Sequence, residues 1–82
     1  MTIEEIFQTM RELVAEHFAV EPAEVTMDTA FEEDLGADSL DLVDMSMALE
    51  ETFGVEELTE EEISGIVTVG DLVRFLQGRL DN

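Results

Sequence analysis

Thr2 stands three residues before Glu5, Thr59 three before Glu62, and Thr68 with Asp71 comes close to the same pattern. This spacing starts helices, because the hydroxyl accepts from an amide of the first turn while the acid reaches back to the capping residue's own N–H. Behind Thr2, Ile3, Ile6, Phe7, Met10, Leu13, Val14 and Phe18 recur at intervals of three and four and predict a first helix. Behind Thr68, the stripe Val69, Leu72, Val73, Leu76 and Leu80, with Phe75 alongside, predicts a last one. "TEEEIS" reads as a short helix ending near Gly65, and Asp38 as the cap of a helix over Ser39 to Phe53 that holds Asp41 in its first turn and stops at Gly54. Nothing alternates long enough to be a strand, and "IVTV" at 66–69 reads as a linker because Thr68 caps the last helix. Between the first two helices Pro22 and "TMDTAF" break the rhythm for a long connection, for which Val20, Val25, Met27 and Phe31 are the natural anchors. "PAEV" can form one helical turn with Pro22 at its first position, and Gly36 permits a tight turn before the next helix. The expectation is all-α: a four-helix bundle with three main helices, a short third helix and a long first loop, in one domain over 1–82.

Charge narrows the partners. Twenty-two acids face only Arg11, Arg74 and Arg79, with no lysine, for a formal charge of −19. Such a chain has no basic surface for phosphates, which argues against nucleic acid and against stable binding to anionic membranes. Partners should be basic. With 45% hydrophobic residues the chain can still bury a core. The lack of cysteine excludes disulfides, thiolate catalysis and thiolate metal sites. No stretch approaches a membrane span, and the acidic start "MTIEEIFQTM" lacks the basic opening of a secretory signal, so a cytoplasmic protein is expected.

The helix over 39–53 has two apolar faces. At about 100° per residue Leu42, Met45, Leu49 and Phe53 form one band, assigned to the core. Leu40, Val43 and Met47 lie roughly 150° away, with Asp41, Asp44, Glu50 and Glu51 around them. Either this second ridge packs under the long loop or the third helix, or it is a docking strip on which acids steer a basic partner to an apolar contact.

Ser39 heads that helix between Asp38 and Asp41. A hydrolase nucleophile needs a base and an oxyanion hole, and the only histidine, His17, belongs to the end of the first helix beside its apolar stripe, so catalysis by Ser39 is rejected. "DLGADSLD" lacks the alternating acids of a calcium loop; no specific metal is expected, only loose divalent binding by Asp34, Asp38 and Asp41.

"EDLGADSLD" followed by "MALEETF" resembles the acyl carrier proteins, and the similarity extends over nearly the whole chain. The resemblance implies that Ser39 is a substrate and not a catalyst. It would take 4′-phosphopantetheine from coenzyme A through a phosphopantetheinyl transferase, and the arm's thiol would carry acyl intermediates of fatty-acid-type or related lipid and polyketide synthesis. The family's partner-facing positions correspond here to Asp38, Leu40, Asp41, Val43, Asp44, Met47, Glu50 and Glu51, which would meet basic patches on acyl-processing enzymes. Its acyl cavity implicates Met45, Leu49, Phe53, Ile63, Ile66 and Leu72, unless these simply fill the core. The helix N-terminus favours a phosphodiester while Asp38 and Asp41 repel it, so a mobile arm is expected.

Several positions depart from the family pattern. The loop "GVEELT" is one residue longer than usual, Thr59 stands where proline is common, Ile63 and Leu72 occupy places that are often small, and Ser46 replaces an aliphatic residue. With the absence of lysine, these point to a specialised carrier with an altered cavity; a monomer is expected. The alternatives are an acidic helical adaptor or cation-responsive module that lacks the modification, and an aminoacyl carrier.

Overall fold

The computed structural model describes residues 2–80. Helix α1 (Ile3–Phe18) is followed by a 3₁₀ turn (Pro22–Glu24), α2 (Phe31–Leu35), α3 (Ser39–Phe53), α4 (Glu60–Ser64) and α5 (Val69–Leu80). The three long helices and the short one before α5 lie where capping and periodicity predict them. The helical turn at Pro22 forms as well, with proline in its first positions.

Helix α2 was not foreseen; its five residues lie inside what the sequence presents as loop. Its start is held in part from elsewhere and its end by its own glycine stop. The Phe31 amide donates to Val67 O at 3.0 Å, and the Ala30 amide to Asp34 Oδ2 at 2.7 Å. At the other end Gly36 takes the left-handed conformation (φ 66°), which lets the amides of Gly36 and Ala37 return to Glu32 O and Phe31 O.

The long connection is also sewn to the segment before α5. Ala30 and Thr68 form an isolated antiparallel bridge, Val69 N–H reaches Thr29 O at 2.9 Å, and Gly70 N–H reaches Met27 O at 2.9 Å. "IVTV" is thus a linker with one paired seam. Gly70 is required there, because a β-carbon would stand 2.7 Å from Met27 O.

Ile6, Met10 and Val14 of α1, Phe31 of α2, Met45 and Leu49 of α3, Ile63 of α4 and Val69, Leu72, Val73 and Leu76 of α5 close on one another as a single core. Of the expected loop anchors, Val25 and Phe31 are buried, and Val20 and Met27 are partly buried against the same cluster. None of the helices among the described residues is long and apolar enough to cross a membrane.

Each of the four helices α1, α3, α4 and α5 starts on a reciprocal pair: Thr2 with Glu5, Asp38 with Asp41, Thr59 with Glu62, and Thr68 with Asp71. In every pair the backbone amide of the capping residue is the largest cause that holds the acid below its ordinary pKa. Because the folded values lie below the unfolded ones, this stabilisation is complete above the ordinary carboxylate range, about 4, and is lost as pH falls through the lowered values. Repulsion among the acids changes in the opposite sense, easing as they begin to protonate. Thermal melts in low-salt buffer are therefore expected to show Tm rising from pH 7 to about 5 and falling below about 4, with added salt raising the neutral-pH value. A Tm that falls steadily from pH 7 downward would contradict this balance.

Candidate functional site

Ser39 is the first residue of α3 and is exposed. Asp38 caps the helix by accepting from Asp41 N–H at 3.0 Å, and Asp41 Oδ2 accepts from Asp38 N–H at 3.1 Å. The cap uses side chains on either side of Ser39 and leaves its hydroxyl out of the exchange. One of the first-turn amides is already satisfied by Asp38, which weakens the helix end as an anchor for a phosphate.

His17 stands at the end of α1, edge-on to Phe18 with ring centroids 4.7 Å apart, and adds a contact the sequence reading lacked: its Nε2 lies 3.3 Å from Asp41 Oδ1. The hydrogen bond from the Asp38 amide, then that from His17, holds the Asp41 carboxyl below its ordinary range. His17 therefore links the end of α1 to the cap of α3. The sequence carried no signal for this, because the two residues lie on different helices 24 positions apart.

Ser39 opens onto a groove between α3 and α4. Ala37, Leu40, Leu42, Val43, Ile63 and Ile66 give it apolar walls, and Glu32, Asp38, Glu60 and Ser64 stand with Ser39 around it. Leu42, Ile63 and Ile66 also line a second, narrower space, completed by Met45, Ser46, Leu49, Leu58 and Leu72. The three shared residues are the wall where the groove and the chamber adjoin. The chamber holds about 10 Å³, room for roughly one water molecule, so anything larger must displace its walls.

Five of the six residues expected around an acyl cavity, Met45, Leu49, Ile63, Ile66 and Leu72, surround this chamber. Phe53 does not. It is the last residue of α3, one turn beyond Leu49, where it is half-buried against the core. Leu42, Ser46 and Leu58 line the chamber and were not among the expected six. For Ser46 the signal was a polar residue four positions after Leu42 on the core side of α3, where the family pattern has an aliphatic one.

On the outer face of α3, Leu40 is 72% exposed and Met47 52%. Val43 is half-buried, and its side chain forms part of the groove wall. Asp38, Asp44, Glu50 and Glu51 are exposed around this ridge, and Asp41 is half-buried in its cap. No arginine balances them here: Arg11 donates to Val25 O and lies over the Phe7 ring, Arg74 pairs with Asp71, and Arg79 pairs with Glu62 and lies over Phe75. The loose divalent site is not assembled either. Asp34 turns back to the Ala30 amide while Asp38 and Asp41 bond each other, and no three such groups converge among the described residues.

Comparison with known proteins bears on this arrangement. Residues 8–76 match the family model described as "Phosphopantetheine attachment site". An acyl carrier protein of Prochlorococcus marinus is 48% identical over 79 residues, spanning 96% of this chain and 98% of that protein. One from Wolinella succinogenes is 50% identical over 72 residues, spanning 88% and 93%. Among solved structures, the acyl carrier protein of Enterococcus faecalis superposes with a TM-score of 0.78 at 33% identity, covering 96% of this chain and 99% of that one. With its motif, fold and groove in agreement, the chain belongs to the acyl carrier proteins, carriers built around a 4′-phosphopantetheine arm and not catalysts.

Proposed function

We propose that Ser39 is the attachment point of the arm and that the protein delivers acyl intermediates to the enzymes of fatty-acid-type biosynthesis. The observation that carries this reading is the exposed hydroxyl at the head of α3, opening on a groove with apolar walls that adjoins an apolar chamber. When bound, the arm supplies a thiol that this cysteine-free chain lacks, and with it a thioester link to the acyl group. The chain's own residues do the rest. Asp38 and Asp41 fix the start of α3, the groove leads toward the core, and Met45 gives the chamber wall a flexible side chain that can move aside for cargo.

Incubation with coenzyme A, Mg²⁺ and a broad-specificity phosphopantetheinyl transferase is expected to add one phosphopantetheine per chain, and fragment mapping to place it on Ser39. No mass gain with several such transferases would overturn the reading.

The uncompensated acids of α3, with Leu40 and Met47 between them, form the surface offered to basic partners. Asp44, Glu50 and Glu51 are exposed and take no part in the cap, unlike Asp41. Reversing these three to lysine is expected to weaken binding to an acyl-processing enzyme on the order of 10–1000-fold at low salt, a gap that narrows as salt rises. Titration against a fluorescently labelled partner measures it, with circular dichroism confirming the fold. Unchanged affinity at low salt would move the interface to another face.

A further inference from the structure

The chamber behind Ser39 is lined by Leu42, Met45, Leu49, Leu58, Ile63, Ile66 and Leu72, and by one polar side chain among the described residues, Ser46. Ser46 is 1% exposed. Its Oγ accepts from the Leu58 amide at 2.8 Å, a bond that holds the loop before α4 against α3. A hydroxyl has one proton to give in addition to its lone pairs. No hydrogen bond from that proton is formed among the described residues, so a buried donor remains available in an otherwise apolar space.

Depth along the route is set by the helix. Leu42 lines both groove and chamber, whereas Ser46, four residues on, lines the chamber alone, about 6 Å farther along α3. A saturated chain passing Leu42 would press methylenes against the hydroxyl and leave its proton without an acceptor. A chain bearing an oxygen at that depth would supply one. The difference arises from the asymmetry of hydrogen bonding: an unmet donor in a dry site is costly, while a met one is modestly favourable.

We propose that Ser46 is a specificity-determining residue of this carrier, and that its hydroxyl favours acyl chains carrying a keto or hydroxyl oxygen one helical turn below the chamber's mouth over saturated chains of the same length. The inference rests on the carrier reading and adds the class of cargo. Met45 and the short α4 let the chamber widen, and Ser46 sets which chain gains most when it does.

The test loads the protein, through a phosphopantetheinyl transferase and acyl-coenzyme A, with a saturated medium-length chain and with the same chain bearing a ¹³C-labelled ketone near the thioester, mid-chain or at the tail. Infrared spectra of the ketone and ¹³C NMR populations of inserted and extruded chain are recorded for the wild type, Ser46→Thr, which keeps the hydroxyl, and Ser46→Ala. One ketone position is expected to show a lowered stretching frequency and about a five-fold gain in insertion over the saturated chain in the wild type and Ser46→Thr, both lost in Ser46→Ala. Equal insertion and a free-ketone frequency at every position in the wild type would overturn the proposal, whether or not Ser46→Ala folds. So would a lowered frequency that persists in Ser46→Ala. Failure to gain any phosphopantetheine is a separate outcome, which strikes the carrier reading before the cargo is in question.

Discussion

Ser39→Ala is expected to fold as the wild type does and to accept no phosphopantetheine at all. The cap of α3 is made by Asp38 and Asp41, and Ser39 contributes no hydrogen bond to it. Alanine suits a first helical turn, so the stability change should stay within about 0.5 kcal/mol, as for most exposed substitutions. Loss of loading would then report the missing hydroxyl and not a collapsed bundle. Ser64 supplies the control, because it too is exposed and lines the groove, with its hydroxyl already donating to Glu61 O at 2.8 Å. Ser64→Ala should load fully. Intact mass after exhaustive transferase treatment, with far-ultraviolet circular dichroism on the same samples, reads both. A full mass gain on Ser39→Ala would move the attachment elsewhere.

The second large effect is on stability. Phe31 is 1% exposed, joins α2 to the core, approaches the Phe18 ring at 6.4 Å between centroids, and sends its amide across to Val67 O. Truncating a buried phenylalanine costs about 3–5 kcal/mol, because packing is lost and the cavity fills only in part. A domain of this length holds roughly 4–12 kcal/mol in total, and the net charge of −19 works against it. Phe31→Ala should therefore have a urea midpoint far below that of the wild type, lowest in low-salt buffer at neutral pH and recovering as salt is added. Urea titrations followed by circular dichroism at low and high salt measure the difference. A midpoint close to that of the wild type would mean that α2 is not anchored through this ring.

Much of this was legible in the residues. Capping pairs and three-and-four spacing mark local events that a short stretch of chain decides for itself, so α1, α3, α4 and α5 were predicted close to their limits. The core band of α3 was equally readable, with Met45 and Leu49 buried and Leu42 and Phe53 partly so. Helix α2 was hidden because five residues complete barely more than one turn, its first amide is satisfied by the distant Val67, and Gly36 reads equally well as a turn before α3. Val43 shows the limit of the wheel. Its angle placed it on the outer ridge, but only the position of α4 decides that it also forms a groove wall. The same holds for Leu58, a loop residue brought to the chamber by its amide's bond to Ser46, and for His17, whose contact with Asp41 depends on where α1 ends against α3.

The seam between residues 27–30 and 68–70 also bears on how the chain can be extended. Surface connections usually accept extra residues, yet here the longest one is stitched at three backbone positions to the start of α5. A reporter peptide spliced into it would pull those stitches out of register and lift Phe31 with them. Glu56 and Glu57, exposed in the loop before α4 and clear of the seam, are the better place for an added label, so long as Leu58 beside them keeps its bond to Ser46.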